Sequence, residues 1–298
     1  MKLINTFLLS SIHTMLNTSH PHAIFKTIIV DRSGSMSSFQ GKHIEMTYRM
    51  LMESQEEAEN SGIRTRISLT TFDDRTNYPL ELVDPNQEDM LDQSQLNKML
   101  YPRGSTRFND TLLEEVEKLE KAAADYKKSL PIALRRLDPL IVRIVIAITD
   151  GEDNVSNSPV SQCRDIMTEY RRNNGTAILM AANMDAEQIG ANYGFNSDRC
   201  ITVHNSNEEA IEAGFRSVMR CQRELSLGIE SMPFTHLERT SSCPMHNTLT
   251  VFESDEDTMM NAPPTLLLPP ALTRQHAQAF DANTAFGFPD LNENQAEV

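Results

Sequence analysis

Three short segments of the chain carry oxygen donors at spacings that could hold a divalent cation. In Asp31-Arg32-Ser33-Gly34-Ser35 an aspartate alternates with two serines. In a turn leaving a strand, positions one, three and five can face one concave rim, and Gly34 permits a tight backbone there. Arg103-Gly104-Ser105-Thr106-Arg107 adds a hydroxyl at Thr106, and Thr149-Asp150-Gly151 adds a second carboxylate at Asp150. Asp31, Ser33, Ser35, Thr106 and Asp150 are all hard oxygen donors, with no sulfur or imidazole among them. Such a set suits Mg²⁺, or Mn²⁺, which takes oxygen ligands at ~2.1 Å and keeps several waters. Neutral serines in direct contact, with carboxylates behind water, leave the ion short of negative charge. That favours an anionic ligand from outside, such as a Glu or Asp side chain of a partner protein. Each segment alone reads as a helix cap. Three in this order, each at a strand end or ahead of a helix, point to one shared site.

The elements that must position these residues are legible as alternating strands and helices. Ile24–Val30 is a near-continuous β-branched and aromatic run, as in a strand buried on both faces, and Ile141–Ile148 is a second. Arg66–Phe72 alternates, and Tyr78–Val83 follows after a link short enough for a hairpin. Thr176–Ala182 and Cys200–Val203 complete six strands. Helical spacing joins Ile44, Tyr48, Leu51 and Ala58; Leu112, Val116, Leu119 and Ala123; and Ile211, Phe215 and Val218. A further helix starts with Ser158 as N-cap and Pro159 at its first position. The pattern predicts an α/β fold: a doubly wound, mostly parallel six-stranded sheet with one antiparallel edge strand. In such sheets ligands bind beyond the carboxyl ends of the strands, where the strand order switches. Asp73 and Asp74, after the third run, read as turn residues of the hairpin.

With those residues in place, the chain resembles von Willebrand factor type A (vWA) domains over residues 22–224. Their metal-ion-dependent adhesion site (MIDAS) has the pattern D-x-S-x-S, then a distant Thr, then a distant Asp. All five positions have a counterpart here in Asp31, Ser33, Ser35, Thr106 and Asp150. Ser105 stands where many members have a second glycine. The resemblance implies a Rossmann-like sheet and cation-dependent binding of a protein ligand. It implies that Ser33 and Ser35 touch the metal, that Thr106 does so directly or through water, and that Asp31 and Asp150 hold metal-bound waters. It also implies that Arg32, Arg107, Glu152 and Asp153 lie on the rim and set partner choice.

The expected function is therefore a protein-binding module, an adaptor inside the cell, and not an enzyme. The rival is Mg²⁺-dependent phosphoryl transfer or hydrolysis on a similar sheet. Haloacid-dehalogenase-like phosphatases need a second carboxylate two positions after the first, where this chain has Ser33. It has no G-x-x-x-x-G-K-[ST] loop, no G-x-S-x-G elbow and no H-E-x-x-H. The same residues also fit a secreted adhesive protein, or a scaffold whose metal site is vestigial.

Composition sets the remaining bounds. The 298 residues include 27 Lys and Arg against 42 Asp and Glu, a net charge of −15. That charge opposes binding to nucleic acid or to anionic membranes. No apolar run reaches the roughly 18–20 residues that span a bilayer. The four cysteines, Cys163, Cys200, Cys221 and Cys243, form no C-x-x-C pair and suit a reducing, cytoplasmic compartment. A leader over 1–21 has a faint signal-peptide look, without a cleavage motif, and reads as disordered. From residue 225 onward the chain is acidic and proline-containing, with no sustained period, and is expected to be an unstructured tail to 298. Within it, Thr265–Leu268 and Phe286–Phe288 could be docking motifs.

Overall fold

Strand β1 (Ala23–Asp31) is buried at every position, as its unbroken apolar character requires. A computed structural model describes residues 20–205, 207–229 and 232–244. In it β1 lies between β2 (Arg64–Phe72) and β4 (Ile141–Thr149), parallel to both. The full sheet runs β3-β2-β1-β4-β5-β6, with β3 (Thr76–Val83) antiparallel at one edge, β5 (Thr176–Ala182) next to β4, and β6 (Cys200–Val203) at the other edge. This is the doubly wound sheet the sequence predicts. The strand order switches between β1 and β4, so the carboxyl ends of these two strands flank the natural binding crevice.

Helices cover both faces. On one side α1 (Lys42–Ser61), α2 (Gln93–Met99) and α7 (Glu208–Ser226) pack on a core that includes Ile28, Val30, Met50, Leu51, Ile146 and Phe215. On the other, α3 (Phe108–Ser129), α5 (Val160–Arg172) and α6 (Ala186–Tyr193) cover Ile29, Phe72, Phe108, Val145 and Leu179. Consecutive residues of β1, such as Ile28 and Ile29, go to opposite cores, as the period of two dictates. A short helix α4 (Ile132–Arg136) precedes β4. Cys163, Cys200, Cys221 and Cys243 are all buried thiols.

Two expectations change. Helix α5 has Pro159 as its cap and Val160 as its first residue, not Ser158 and Pro159. Ser158 is held one step back in the loop: its N–H donates to Asp110 Oδ1 (2.9 Å) and its carbonyl accepts from Asn109 Nδ2 (2.8 Å). The segment expected to be unstructured from residue 225 is instead ordered where it is described. α7 continues to Ser226, and α8 (His236–Ser242) opens with a capping box in which Thr235 and Glu238 bond each other's backbone N–H. α8 lies along β6: Arg239 donates to the Cys200 carbonyl (2.7 Å), Ser242 Oγ to the Thr202 carbonyl (2.8 Å), and His204 N–H to the Ser242 carbonyl (2.9 Å). Phe234 is buried beside it. Residues 1–19 of the expected leader and 245–298 of the expected tail, with both docking motifs, lie outside the described residues. Among the described residues no helix is long and apolar enough to cross a membrane.

Candidate metal centre

Asp31 ends β1 and Asp150 directly follows β4, so the switch in strand order places the two carboxylates side by side. Asp31 is fully buried. Its Oδ1 accepts from the Ser33 N–H (2.7 Å), which folds the turn back on the strand end. Its Oδ2 accepts from Thr149 Oγ1 (2.6 Å), across from β4. The Ser33 and Ser35 hydroxyls share a hydrogen bond of 2.9 Å, and Ser35 Oγ donates to Asp150 Oδ1 (2.7 Å). The alternation in the sequence therefore does bring positions 31, 33 and 35 to one rim, and Asp150 joins them.

Thr106 reaches the same place from the loop ahead of α3. Its N–H donates to Asn154 Oδ1 (3.0 Å) and its carbonyl accepts from the Asn154 N–H (3.0 Å), tying it to the loop after β4. Gly151 shows how close the hydroxyls lie. A Cβ there would sit 3.2 Å from Thr106 Oγ1 and 3.7 Å from Ser35 Oγ. The five residues singled out in the sequence thus converge on one crevice.

The electrostatics fit a cation. Burial raises the Asp31 pKa to about 6 despite the hydrogen bonds from Thr149 and Ser33, and the Asp150 charge adds to the rise. Asp150 is raised too, chiefly by burial, with the Ser35 hydrogen bond opposing. A divalent ion among these oxygens is the group that would bring both down. Among the described residues no three His, Cys, Asp or Glu side chains meet as a metal site. The candidate here has two carboxylates and three hydroxyls, which suits a hard ion such as Mg²⁺ or Mn²⁺ and not a soft one.

The four expected rim residues divide. Glu152 is exposed. Arg32, expected on the rim, is turned inward and only 5% exposed. It pairs with Asp73 (2.9 Å) and donates to the Met99 carbonyl (2.9 Å). Arg107 lies along its own helix, pairing with Asp110 (3.0 Å) and Glu114 (3.0 Å). Asp153 accepts from the Asn109 N–H (2.7 Å) at the start of α3, where an anion complements the helix dipole. Spacing shows that a residue is near a site. It does not show which partner across the fold captures its side chain. Thr149, Asn154, Arg103 and Asp73 were missed as supports, because their partners lie 30 to 118 residues away.

The fold is similar to that of proximal thread matrix protein 1 from the mussel byssus, at 15% identity and a TM-score of 0.41 over 68% of this chain and 46% of that one. It is also similar to a von Willebrand factor type A protein from Catenulispora acidiphila (14%, 0.41, 67% and 43%) and to the manganese-loaded TRAP protein of Plasmodium vivax (17%, 0.37, 54% and 57%). The chain spans less than half the length of the first two and just over half of the third. Among curated protein sequences none is a match. The sequence model of one family does match, over residues 27–213, a stretch that holds the whole crevice from Asp31 to Asp150. The chain belongs to the von Willebrand factor type A domain family.

Proposed function

We propose that the chain is a divalent-cation-dependent protein-binding module whose five crevice residues form a MIDAS. The observation that carries this reading is the hydrogen-bonded chain from Ser33 to Ser35 to Asp150, with Asp31 behind it and Thr106 beside it across Gly151. Ser33, Ser35 and Thr106 are the hydroxyls that would hold Mg²⁺ or Mn²⁺, and Asp31 and Asp150 would hold its waters. The bound ion would supply a positive docking point for a Glu or Asp carboxylate of a protein partner. Glu152, exposed at the edge of the crevice, would help to select that partner. The domain read over residues 22–224 extends to take in α8, its last described element. The four buried cysteine thiols support an intracellular setting.

The test is a titration followed by a capture. Calorimetry with Mg²⁺ and Mn²⁺ should give saturable binding that the Ser33→Ala/Ser35→Ala variant loses. Bait protein with Mg²⁺, with EDTA, and carrying the double substitution should then capture a partner only in the first case. Mg²⁺-dependent turnover of a phosphoester that Asp31→Ala abolishes would replace this reading with an enzymatic one.

A further inference from the structure

The buried carboxylate of Asp73 touches none of the five crevice residues, yet it ties together the loops that carry three of them. Asp73 follows β2 and is 1% exposed. Its Oδ2 lies 2.9 Å from a guanidinium nitrogen of Arg32 and 2.9 Å from Arg103 Nε. Arg32 sits between Asp31 and Ser33, and Arg103 sits three residues before Thr106. The backbone repeats the connection. The Arg103 N–H donates to the Arg32 carbonyl (2.7 Å), the Gly34 N–H to the Gly104 carbonyl (3.2 Å), and the Arg107 N–H to the Asp73 carbonyl (2.9 Å). Gly104 has φ +71°, and a Cβ on it would lie 3.2 Å from that of Asp73, so the two loops close over the carboxylate with no room to spare.

We infer that Asp73 is a positioning residue for the proposed metal centre, holding the Ser33–Ser35 turn and the Thr106 loop at the mutual distance that cation binding needs. The inference rests on the metal-binding reading above. Without the carboxylate, two guanidinium groups would face each other, one of them buried, and would push the loops apart. With it, the spacing between hydroxyls from two loops is set before any ion arrives. Such supporting partners typically govern metal affinity by about 10- to 100-fold when removed. Burial works against the Asp73 charge, but the hydrogen bonds from Arg103 and the Arg75 backbone and the charge of Arg32 hold its pKa below the ordinary value. It is therefore ionised at neutral pH.

Positioning and simple electrostatics predict opposite signs at Arg103, whose side chain is 63% exposed and can be changed without opening the core. Arg103→Gln removes a positive charge from the neighbourhood of the ion, which by charge alone tightens Mg²⁺ binding. Through the lost clamp it weakens binding, by about threefold, less than a full support effect because the Arg32 pair with Asp73 remains. Asp73→Glu keeps the charge but displaces the carboxylate, and should weaken binding about tenfold. Both are read by Mg²⁺ calorimetry on the full chain, with Met167→Ala, a core truncation on α5, as a control that lowers thermal stability and leaves affinity unchanged. Equal or tighter binding by Arg103→Gln, or wild-type binding by Asp73→Glu, overturns the positioning role while the metal centre stands. If the unsubstituted protein binds neither Mg²⁺ nor Mn²⁺, the metal reading fails and the inference falls with it.

Discussion

Two buried polar clusters hang from β1 five residues apart, and they are built differently. At the carboxyl end, both oxygens of Asp31 accept hydrogen bonds, and Ser33, Ser35 and Asp150 continue the chain. Near the amino end, Lys26 interrupts the apolar face between Ile24 and Ile28 and is 1% exposed. Its ammonium donates to Ser54 Oγ (3.0 Å) and lies 3.4 Å from Glu57. Around it, Glu57 Oε1, Gln222 Oε1 and Ser226 Oγ have no protein partner, and Ser54, Glu57 and Ser226 line a cavity of about 360 Å³. The difference teaches that burial of polar groups does not by itself mark a site. The Asp31 cluster is matched donor to acceptor and collects residues from three loops. The Lys26 cluster is under-matched, and burial lowers the lysine pKa against the pull of Glu57.

The sharpest way to test this contrast is to break the weaker cluster in two ways. Glu57→Ala leaves a buried ammonium without its counter-charge and should cost about 3 kcal/mol in chemical denaturation. Lys26→Met removes the charge altogether and should fall within about 1 kcal/mol of the parent, or above it. A large loss for Lys26→Met would mean that this cluster, too, is an optimised network. In the matched cluster the order reverses, because function and not stability is at stake. Ser33→Ala/Ser35→Ala should lose about 100-fold in Mg²⁺ affinity, some 2.7 kcal/mol, with a metal-free denaturation midpoint close to the parent's.

His43 supplies a third, smaller effect. It is buried at the start of α1, with Nε2 3.3 Å from the Leu100 carbonyl and Nδ1 without a partner. Burial pushes its pKa down to about 4, with the Leu100 carbonyl opposing. The unfolded chain, with a histidine pKa near 6.5, takes up the proton first, so this contribution is present above pH ~6.5 and is lost as pH falls toward 4. Between pH 7 and pH 5 it amounts to about 2 kcal/mol. The stability difference between the parent and His43→Gln, measured at both pH values, should narrow by that amount. An unchanged difference would show that His43 is matched after all. Smallest is Thr149→Val, which removes the donor to Asp31 Oδ2. It should cost about 1 kcal/mol, because one acceptor of a buried carboxylate is left open. A null result there would mean that the crevice tolerates gaps as the Lys26 cluster does.

Much of this arrangement could be read from residue order, for reasons the elements make plain. β1 and β4 are legible because strands buried on both faces must be apolar throughout, and the oxygen donors are legible because they sit at the ends of those runs. Short helices were not. α2 buries only Leu96, and α6 only Ala186, Gly190 and Tyr193, too few positions to show a period. α8 was hidden in an acidic, proline-containing stretch, although its capping box was written in Thr235 and Glu238. Asp73 was legible by half. As expected of a turn residue, its Oδ1 accepts from the Arg75 N–H (2.9 Å). Its other oxygen answers to Arg32 and Arg103, and a contact spanning 30 or 41 residues leaves no local pattern.

α8 has a consequence for the domain's conduct among copies of itself. Among the described residues β6 is the last strand on its side, and the backbone groups of such a strand can recruit a strand from another chain. Here Arg239 and Ser242 engage the carbonyls of Cys200 and Thr202. The helix thus acts as a selvedge that stops the sheet from being extended. A chain cut at residue 229, between α7 and α8, would keep the core helices but lose this border. It should self-associate more strongly than the longer chain, as read by sedimentation or size-exclusion at matched concentration.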